Sequence, residues 1–186
     1  RTNSNTAEIN NLRQVINKTS IPKYYGGLTN TFKYKNVDMS FLISYAAGHY
    51  VLNDGVYNLY NNPAFNQHVN VANAWKNPGD QSDLAIRQVY LVRPTASMVS
   101  DYKASSQFLE NASYIKLKNI MIGYSIDKEV AKKIGVERLR FFLQGQNLFT
   151  KSAVSYIDPE YATAAGGIGL SSSIVRGYSF GANVNF

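Results

Sequence analysis

From Ser173 to Phe186 apolar and polar side chains alternate, and the stretch closes on an aromatic ring. Successive side chains of an extended strand point to opposite faces. Tyr178, Phe180, Ala182, Val184 and Phe186 therefore share one face, with Ile174 further up, while Gly177, Ser179, Gly181, Asn183 and Asn185 share the other. One face is apolar and the other polar. A soluble β-sandwich strand carries the same alternation, and that architecture stands as the alternative. An alternating strand that also ends on Phe fits a membrane-spanning β-barrel better.

The pattern recurs upstream. Over 24–34, Leu28, Phe32 and Tyr34 alternate with Thr29, Thr31 and Lys33. After a tight connection at Lys35 and Asn36, the strand 37–47 sets Val37, Met39, Phe41, Ile43, Tyr45 and Ala47 on one face, opposite Asp38, Ser40 and Ser44, with Leu42 the exception. The two segments predict a hairpin, and their length matches the roughly nine to eleven residues a tilted strand needs to cross a bilayer. Over 114–126 the apolar set changes parity, from Ile115 and Leu117 to Ile120, Ile122, Tyr124 and Ile126, which predicts a β-bulge near Lys118 and Asn119. Asp127 to Gly135 then reads as a short helix, with Asp127 as N-cap and Gly135 as stop. The strand 138–149 sets Leu139, Phe141, Leu143 and Phe149 against Arg140, Gln144 and Gln146, with Phe142 and Asn147 breaking the pattern.

Between these strands lie irregular stretches rich in Asn, Gly, Pro and Tyr, about 48–107 and 151–172. If Phe186 marks the periplasmic end, alternating strand directions put the Lys35-Asn36 and Asp127-to-Gly135 connections on the periplasmic side and both long segments outside the cell. Short turns on one side and long loops on the other are the habit of outer-membrane barrels. Residues 1–21 read as the end of a preceding extracellular loop, and 22–186 as barrel. Five strands cannot close a membrane barrel, and open edges in lipid would leave backbone groups unpaired. The expectation is therefore a piece of a larger barrel.

Composition narrows the partners. The chain has 186 residues, 45% hydrophobic and 17% charged, with 14 Tyr, 9 Phe, a single Trp and no Cys. Disulfides and thiolate metal sites are excluded. No run approaches the roughly eighteen apolar residues of a transmembrane helix. The net charge of +7 is scattered rather than gathered into an aromatic-interleaved patch, so no nucleic-acid partner is expected.

Several segments, in this order and spacing, resemble the C-terminal part of the SusC/RagA family of TonB-dependent outer-membrane transporters of Bacteroidetes. They are Pro22-Lys23-Tyr24-Tyr25-Gly26-Gly27-Leu28 leading into Thr31-Phe32-Lys33-Tyr34-Lys35-Asn36, and Trp75-Lys76-Asn77-Pro78-Gly79-Asp80. Further on come Phe108-Leu109-Glu110-Asn111-Ala112-Ser113-Tyr114-Ile115-Lys116-Leu117-Lys118-Asn119, Gln146-Asn147-Leu148-Phe149, Asp158-Pro159-Glu160 and the closing Tyr178-Ser179-Phe180-Gly181 to Phe186. The resemblance implies an all-β, antiparallel transmembrane barrel of twenty-two strands, of which these are the last five. It also implies bacterial outer-membrane localisation, energy from TonB through an N-terminal part not present here, and a SusD-like surface lipoprotein as partner. The cargo implied is an oligosaccharide or an oligopeptide. On that reading Leu28, Phe32, Met39, Phe41, Ile43, Phe141, Leu143, Tyr178, Phe180 and Val184 face lipid, and Phe186 is the C-terminal assembly signal.

No catalytic constellation assembles from the sequence, and neither a metal site nor a cofactor site is expected. His49 and His68 have no metal-ligand spacing, and the proline in Asp158-Pro159-Glu160 favours a rigid turn over an acid/base pair. Gly166-Gly167-Ile168-Gly169 lacks the Lys-Ser/Thr of a phosphate loop and reads as a flexible stretch. Tyr57, Tyr60, Phe65 and Trp75, set among Asn residues, suit contact with substrate or partner. Packing of the long loop against its neighbours or a lipoprotein partner is the preferred explanation, because a loop of this length needs small clusters of its own to stay ordered.

Overall fold

The computed structural model describes residues 11, 13–61, 66–82, 84, 105–163, 165–171 and 174–186. The strands are β1 (Tyr24–Tyr34), β2 (Val37–Ala47), β3 (Tyr50–Asn53), β4 (Leu109–Asn111), β5 (Tyr114–Ser125), β6 (Arg138–Ser152), β7 (Gly167–Ile168) and β8 (Gly177–Asn185). Among the described residues the α-helices α1 (Asp54–Asn61) and α2 (Lys128–Lys133) follow β3 and β5. The chain divides into two units, one built from Pro22–Gly48, Ala112–Ala153 and Ser173–Phe186, the other from Arg1–Ile21, His49–Asn111 and Val154–Ser172.

The first unit is an antiparallel five-stranded sheet in the order β1-β2-β5-β6-β8. Each strand pairs with the neighbour it reaches by the simplest route, and β1 and β8 are left as edges. The registers Tyr34↔Val37, Val37↔Tyr124, Tyr124↔Phe141 and Phe141↔Ala182 put both short connections at one end. The registers Ala46↔Tyr114 and Tyr114↔Ser152 put the starts of the long connections at the other. Lys35 turns the first hairpin with a left-handed φ of 52°. At the second connection Asp127 stands at the N-cap position of α2, but its side chain does not cap the helix. Its carboxylate accepts instead from the Asn36 side-chain amide, tying the two turns together. Gly135, with φ of 80°, ends the helix as its sequence position predicts, its N–H donating to the Lys132 carbonyl.

The parity switch in β5 has a backbone cause. Leu42 and Ile43 of β2 pair with Asn119 and Leu117, leaving Lys118 as an extra residue. On the far side, Leu117 pairs with Phe149 and Asn119 with Gln146, so β6 sets two residues, Asn147 and Leu148, opposite the single Lys118. Asn147, one of these, has φ of 53°, a conformation Asn tolerates better than most residues. The bulges lie side by side and shift both strands together.

The second unit holds a smaller sheet, β4-β3-β7. Its organiser is Asn53, which is fully buried at the end of β3. The Asn53 Oδ1 accepts from the Val56 N–H at 3.0 Å, capping α1, while Nδ2 donates to Glu110 Oε2 at 3.0 Å and to the Ser155 carbonyl at 3.1 Å. Glu110 Oε2 also accepts from the Ser155 N–H at 2.8 Å. A strand end, a helix start and the 154–157 stretch thus meet at one amide. The glycine-rich run is not a flexible stretch: Gly166 takes φ of 83°, Gly167 and Ile168 pair parallel with β3, and Ile168 is fully buried.

Replacing Asn53 by Ala strips three hydrogen bonds from a buried position and should lower local stability by about 2 kcal/mol. Native-state hydrogen exchange on the intact protein should show protection at Val56 and Ser155 falling about thirtyfold. Unchanged protection would contradict the role given to this amide.

Candidate functional site

Antiparallel partners share a face, so the registers extend the alternation of each strand across the whole five-stranded sheet. One face carries Leu28, Phe32 and Tyr34 of β1, then Val37, Met39, Phe41, Ile43 and Tyr45 of β2. It continues through Ile115, Leu117, Ile120, Ile122 and Tyr124 of β5, and through Phe141, Leu143 and Phe149 of β6. Tyr178, Phe180, Ala182 and Val184 of β8 complete it. Without the bulges, Ile115 and Leu117 would have turned to the opposite side from Ile120 and Ile122. The ten residues expected to face lipid all lie on this one face. Phe180 is 75% exposed, Leu143 55% and Leu28 54%. Among the described residues no second sheet packs on them, as a sandwich would require. Phe141 and Phe180 stack across β6 and β8 with centroids 6.3 Å apart, and Phe32 and Phe41 meet at 6.1 Å. Phe186, past the end of β8, is 90% exposed.

The opposite face is polar and laid flat. Arg140 reaches across Gly123 to Asp38, its Nε donating to Oδ1 at 2.9 Å and its Nη2 to Oδ2. A Cβ on Gly123 would collide with the guanidinium, so a bare backbone at that position is a condition of the ion pair. Phe142 likewise lies over Gly181. Gln144 donates to Asn119 Oδ1 at 2.9 Å, and Thr29, Thr31, Ser40, Ser179 and Asn183 fill further positions. Leu42, Met121 and Phe142 also lie on this face, and the groups between them are hydrogen-bonding ones that suit water.

In the second unit the aromatic residues separate into two kinds. Tyr57 is core: it is buried, and its ring meets Phe108 edge-on at 5.5 Å beside Val56 and Leu52. Tyr60 packs at the margin of that cluster and also contacts His68, with centroids 5.6 Å apart. His68 in turn meets Tyr156 at 5.1 Å. The hydroxyls of Tyr60 and Tyr156 are hydrogen-bonded, which pushes the Tyr156 phenol above its ordinary pKa. Trp75 is half-buried, its backbone N–H donating to the Leu84 carbonyl at 3.0 Å. Phe65 lies outside the described residues.

The segment after Trp75 is fastened by Asp80, whose carboxylate accepts from the N–H groups of Asn77 and Lys76 and is thereby held below the usual range. Asp158 accepts from the Glu160 N–H at 3.0 Å and caps a 3-10 turn over Pro159–Tyr161. The Asp-Pro-Glu segment is therefore a rigid turn, with one carboxylate committed to the backbone. Among the described residues no group of three His, Asp or Glu side chains gathers to hold a metal ion. His49 is buried, its Nδ1 without a hydrogen-bond partner among the described residues, and burial pulls its pKa below 6.5. Two residues important here escaped the sequence reading. Asn53 belongs to an Asn-Asp-Gly turn signal that conceals a buried amide, and Tyr156 lies far along the chain from the rings it joins.

No family model matches the chain. Among curated proteins, TonB-dependent receptor P26 of Formosa agariphila is 30% identical over 173 residues, covering 92% of this chain and 16% of the relative. TonB-dependent receptor P3 of the same organism is 29% identical over 139 residues, covering 75% of this chain and 13% of the relative. Among solved structures, the RagAB peptide importer in its open-open state matches with a TM-score of 0.70 at 23% identity, over 92% of this chain and 18% of that one. Its closed-closed state matches with a TM-score of 0.70 at 22% identity, over the same shares. The chain spans under a fifth of the length of these relatives. Receptors and importers, rather than enzymes, are what it resembles.

The state of His49 gives a pH prediction. Its folded pKa lies below the unfolded value of 6.5, so the fold favours the neutral imidazole. The unfolded state binds more protons as pH falls below 6.5, and stability present above that value is lost through the folded pKa. Amide protection at Tyr50 and Val51 should weaken between pH 7.5 and pH 5.5 in the intact protein, and a His49→Phe variant should show less of this dependence. Identical pH profiles would contradict burial of the imidazole as the cause.

Proposed function

We propose that this chain, a segment of a SusC/RagA-like TonB-dependent transporter of the bacterial outer membrane, supplies five adjacent staves of the transporter's barrel wall. The observation that carries the reading is the single, predominantly apolar face running across all five strands, interrupted by Asn30 in β1 and by Lys151 near the end of β6, and backed by a more polar one. Soluble monomers rarely expose apolar patches beyond a few hundred Å², whereas lipid asks for such a face. An eleven-residue strand rises about 36 Å, and a tilt near 45° reduces this to about 25 Å, the height of a barrel's apolar band. Tyr34 and Tyr124 stand at the turn end of that face, and Tyr24 and Tyr45 at the other, where aromatic girdles meet the two interfaces.

On this reading Leu28, Phe32, Met39, Phe41, Ile43, Phe141, Leu143, Tyr178, Phe180 and Val184 face lipid, and the face of Asp38, Arg140 and Gln144 lines the lumen. The edges of β1 and β8 pair with strands supplied by the rest of a twenty-two-stranded barrel, because open edges in hydrocarbon leave backbone groups without partners. The turn end is periplasmic and the second unit is extracellular. The whole transporter imports oligosaccharides or oligopeptides, energised through TonB and capped by a SusD-like lipoprotein. The likeness to the RagAB peptide importer supports an oligopeptide as one cargo, the lipoprotein partner follows from the family resemblance, and the aromatic and Asn-rich loop unit offers contact groups for either cargo. Phe186, exposed beyond the last strand, serves as the C-terminal assembly signal.

The test is assembly of the intact transporter. Arg in place of Phe41 or Phe180 costs about 2 to 4 kcal/mol near the bilayer midplane, and should sharply reduce the heat-modifiable, folded form in outer-membrane fractions. Deleting Phe186 should lower the assembled amount while leaving uptake per assembled molecule nearly unchanged. Normal assembly of both Arg variants would sink the lipid-facing assignment. Normal assembly with lost uptake after the deletion would place Phe186 on the substrate path.

A further inference from the structure

Tyr60, His68 and Tyr156 come together in the second unit, and no demand of a membrane wall explains them. Tyr156 is 56% exposed and has φ of 61°, in the left-handed region that bulky L residues rarely adopt. Gly or Asn would hold that turn without strain. The conformation is imposed from both sides. Ser155 before it is clamped, its N–H donating to Glu110 and its carbonyl accepting from Asn53, and Ile157 after it is buried. Between these anchors the backbone turns left-handed and sets the Tyr156 ring against His68.

The polar groups nearest the rings are hydroxyls, an amide and an imidazole. Asn70 donates its backbone N–H to His68 Nδ1 at 3.2 Å, so in the neutral imidazole the proton sits on Nε2. The Asn70 side-chain amide reaches the Tyr60 hydroxyl at 3.4 Å, and that hydroxyl bonds Tyr156. Glu110, the carboxylate that acts on Tyr156, is already engaged by Asn53 and Ser155. An exposed aromatic face rimmed by hydroxyl and amide groups matches a ring with an apolar C–H face and a hydroxyl edge. A peptide is held more often by a strand edge or by charges at its ends, and a 3-10 turn, Val69–Asn73, stands beside these rings.

We propose that the Tyr60, His68 and Tyr156 cluster is a contact site for a neutral pyranose ring, with Tyr156 as the stacking platform and the Tyr60 hydroxyl and Asn70 amide as its hydrogen-bonding rim. This rests on the transport reading and names a residue that selects its cargo.

The intact transporter, purified in detergent from outer membranes, is titrated calorimetrically with maltohexaose, cellohexaose, xylohexaose and mannohexaose, and with hexaalanine as the peptide comparison. At least one hexasaccharide should bind. Tyr156→Gly should weaken it about tenfold or more, and Tyr156→Trp should keep it within about threefold. Because Gly relaxes the left-handed turn, the melting temperature of Tyr156→Gly should hold or rise. Failure of every hexasaccharide to bind, or an affinity indifferent to Tyr156→Gly, overturns the proposal. So does weakened binding with a lowered melting temperature, which marks a structural role. Binding of hexaalanine alone, lost in Tyr156→Gly, assigns the site to peptides and overturns the sugar assignment. Any of these failures with the transporter still in the outer membrane leaves the transport reading standing, whereas failure to fractionate there strikes that reading itself.

Discussion

Cross-strand pairing locks the parity of five strands together, and the character of both sheet faces depends on that lock. A strand has a side-chain period of two, so a slip by one residue exchanges its faces. The sequence of β5 contains such a slip, since Ile115 and Leu117 are out of phase with Ile120 and Ile122. The extra residue at Lys118 takes up the slip against β2, and the two residues that β6 sets opposite it, with Asn147 left-handed, carry it to the next strand. The apolar face continues as a result from Leu28 through Ile43 and Ile122 to Phe180.

The polar face obeys a second constraint, the pairing of large side chains with missing ones. Arg140 lies over Gly123 to meet Asp38, and Phe142 lies over Gly181. Each large group gains contact area on a neighbouring strand where a Cβ would have stood, which keeps that face of the sheet low. The smaller unit depends on hydrogen bonding of a different kind. There a single buried amide, Asn53, joins three chain segments that sequence separation keeps far apart, and the strained Tyr156 is held in place by the same network.

The sheet was legible in the sequence wherever alternation ran unbroken. The fold class follows from β1, β2 and β8, whose alternation signals strands without help from distant residues, and the bulge follows from the change of parity at Lys118. The loop unit was much less legible. β3 and β4 are only a few residues long, β7 is two residues hidden in a glycine run, and α1 starts at an Asn-Asp-Gly signal that reads as a turn. Their stability comes from contacts distant in sequence, such as Tyr57 with Phe108 and Asn53 with Ser155, which no local period records. For the same reason the sequence offered Tyr57 both as a contact residue and as loop packing, and only the structure places it in the core, while Tyr156 went unremarked. A loop aromatic carries no local mark of which side of a packed cluster it will occupy.

The central claim is that one face of this sheet meets lipid and the other meets water. Because the stretch has no cysteine, spin labels can be attached at single introduced cysteines in the intact transporter reconstituted in bilayers. Labels at Met39, Leu143 and Phe180 should be relaxed strongly by oxygen, which partitions into hydrocarbon, and weakly by a water-soluble nickel chelate. Labels at Ser40, Gln144 and Ser179, one residue away on each strand, should show the reverse. Equal relaxation of the two sets, or the opposite preference, would contradict the account.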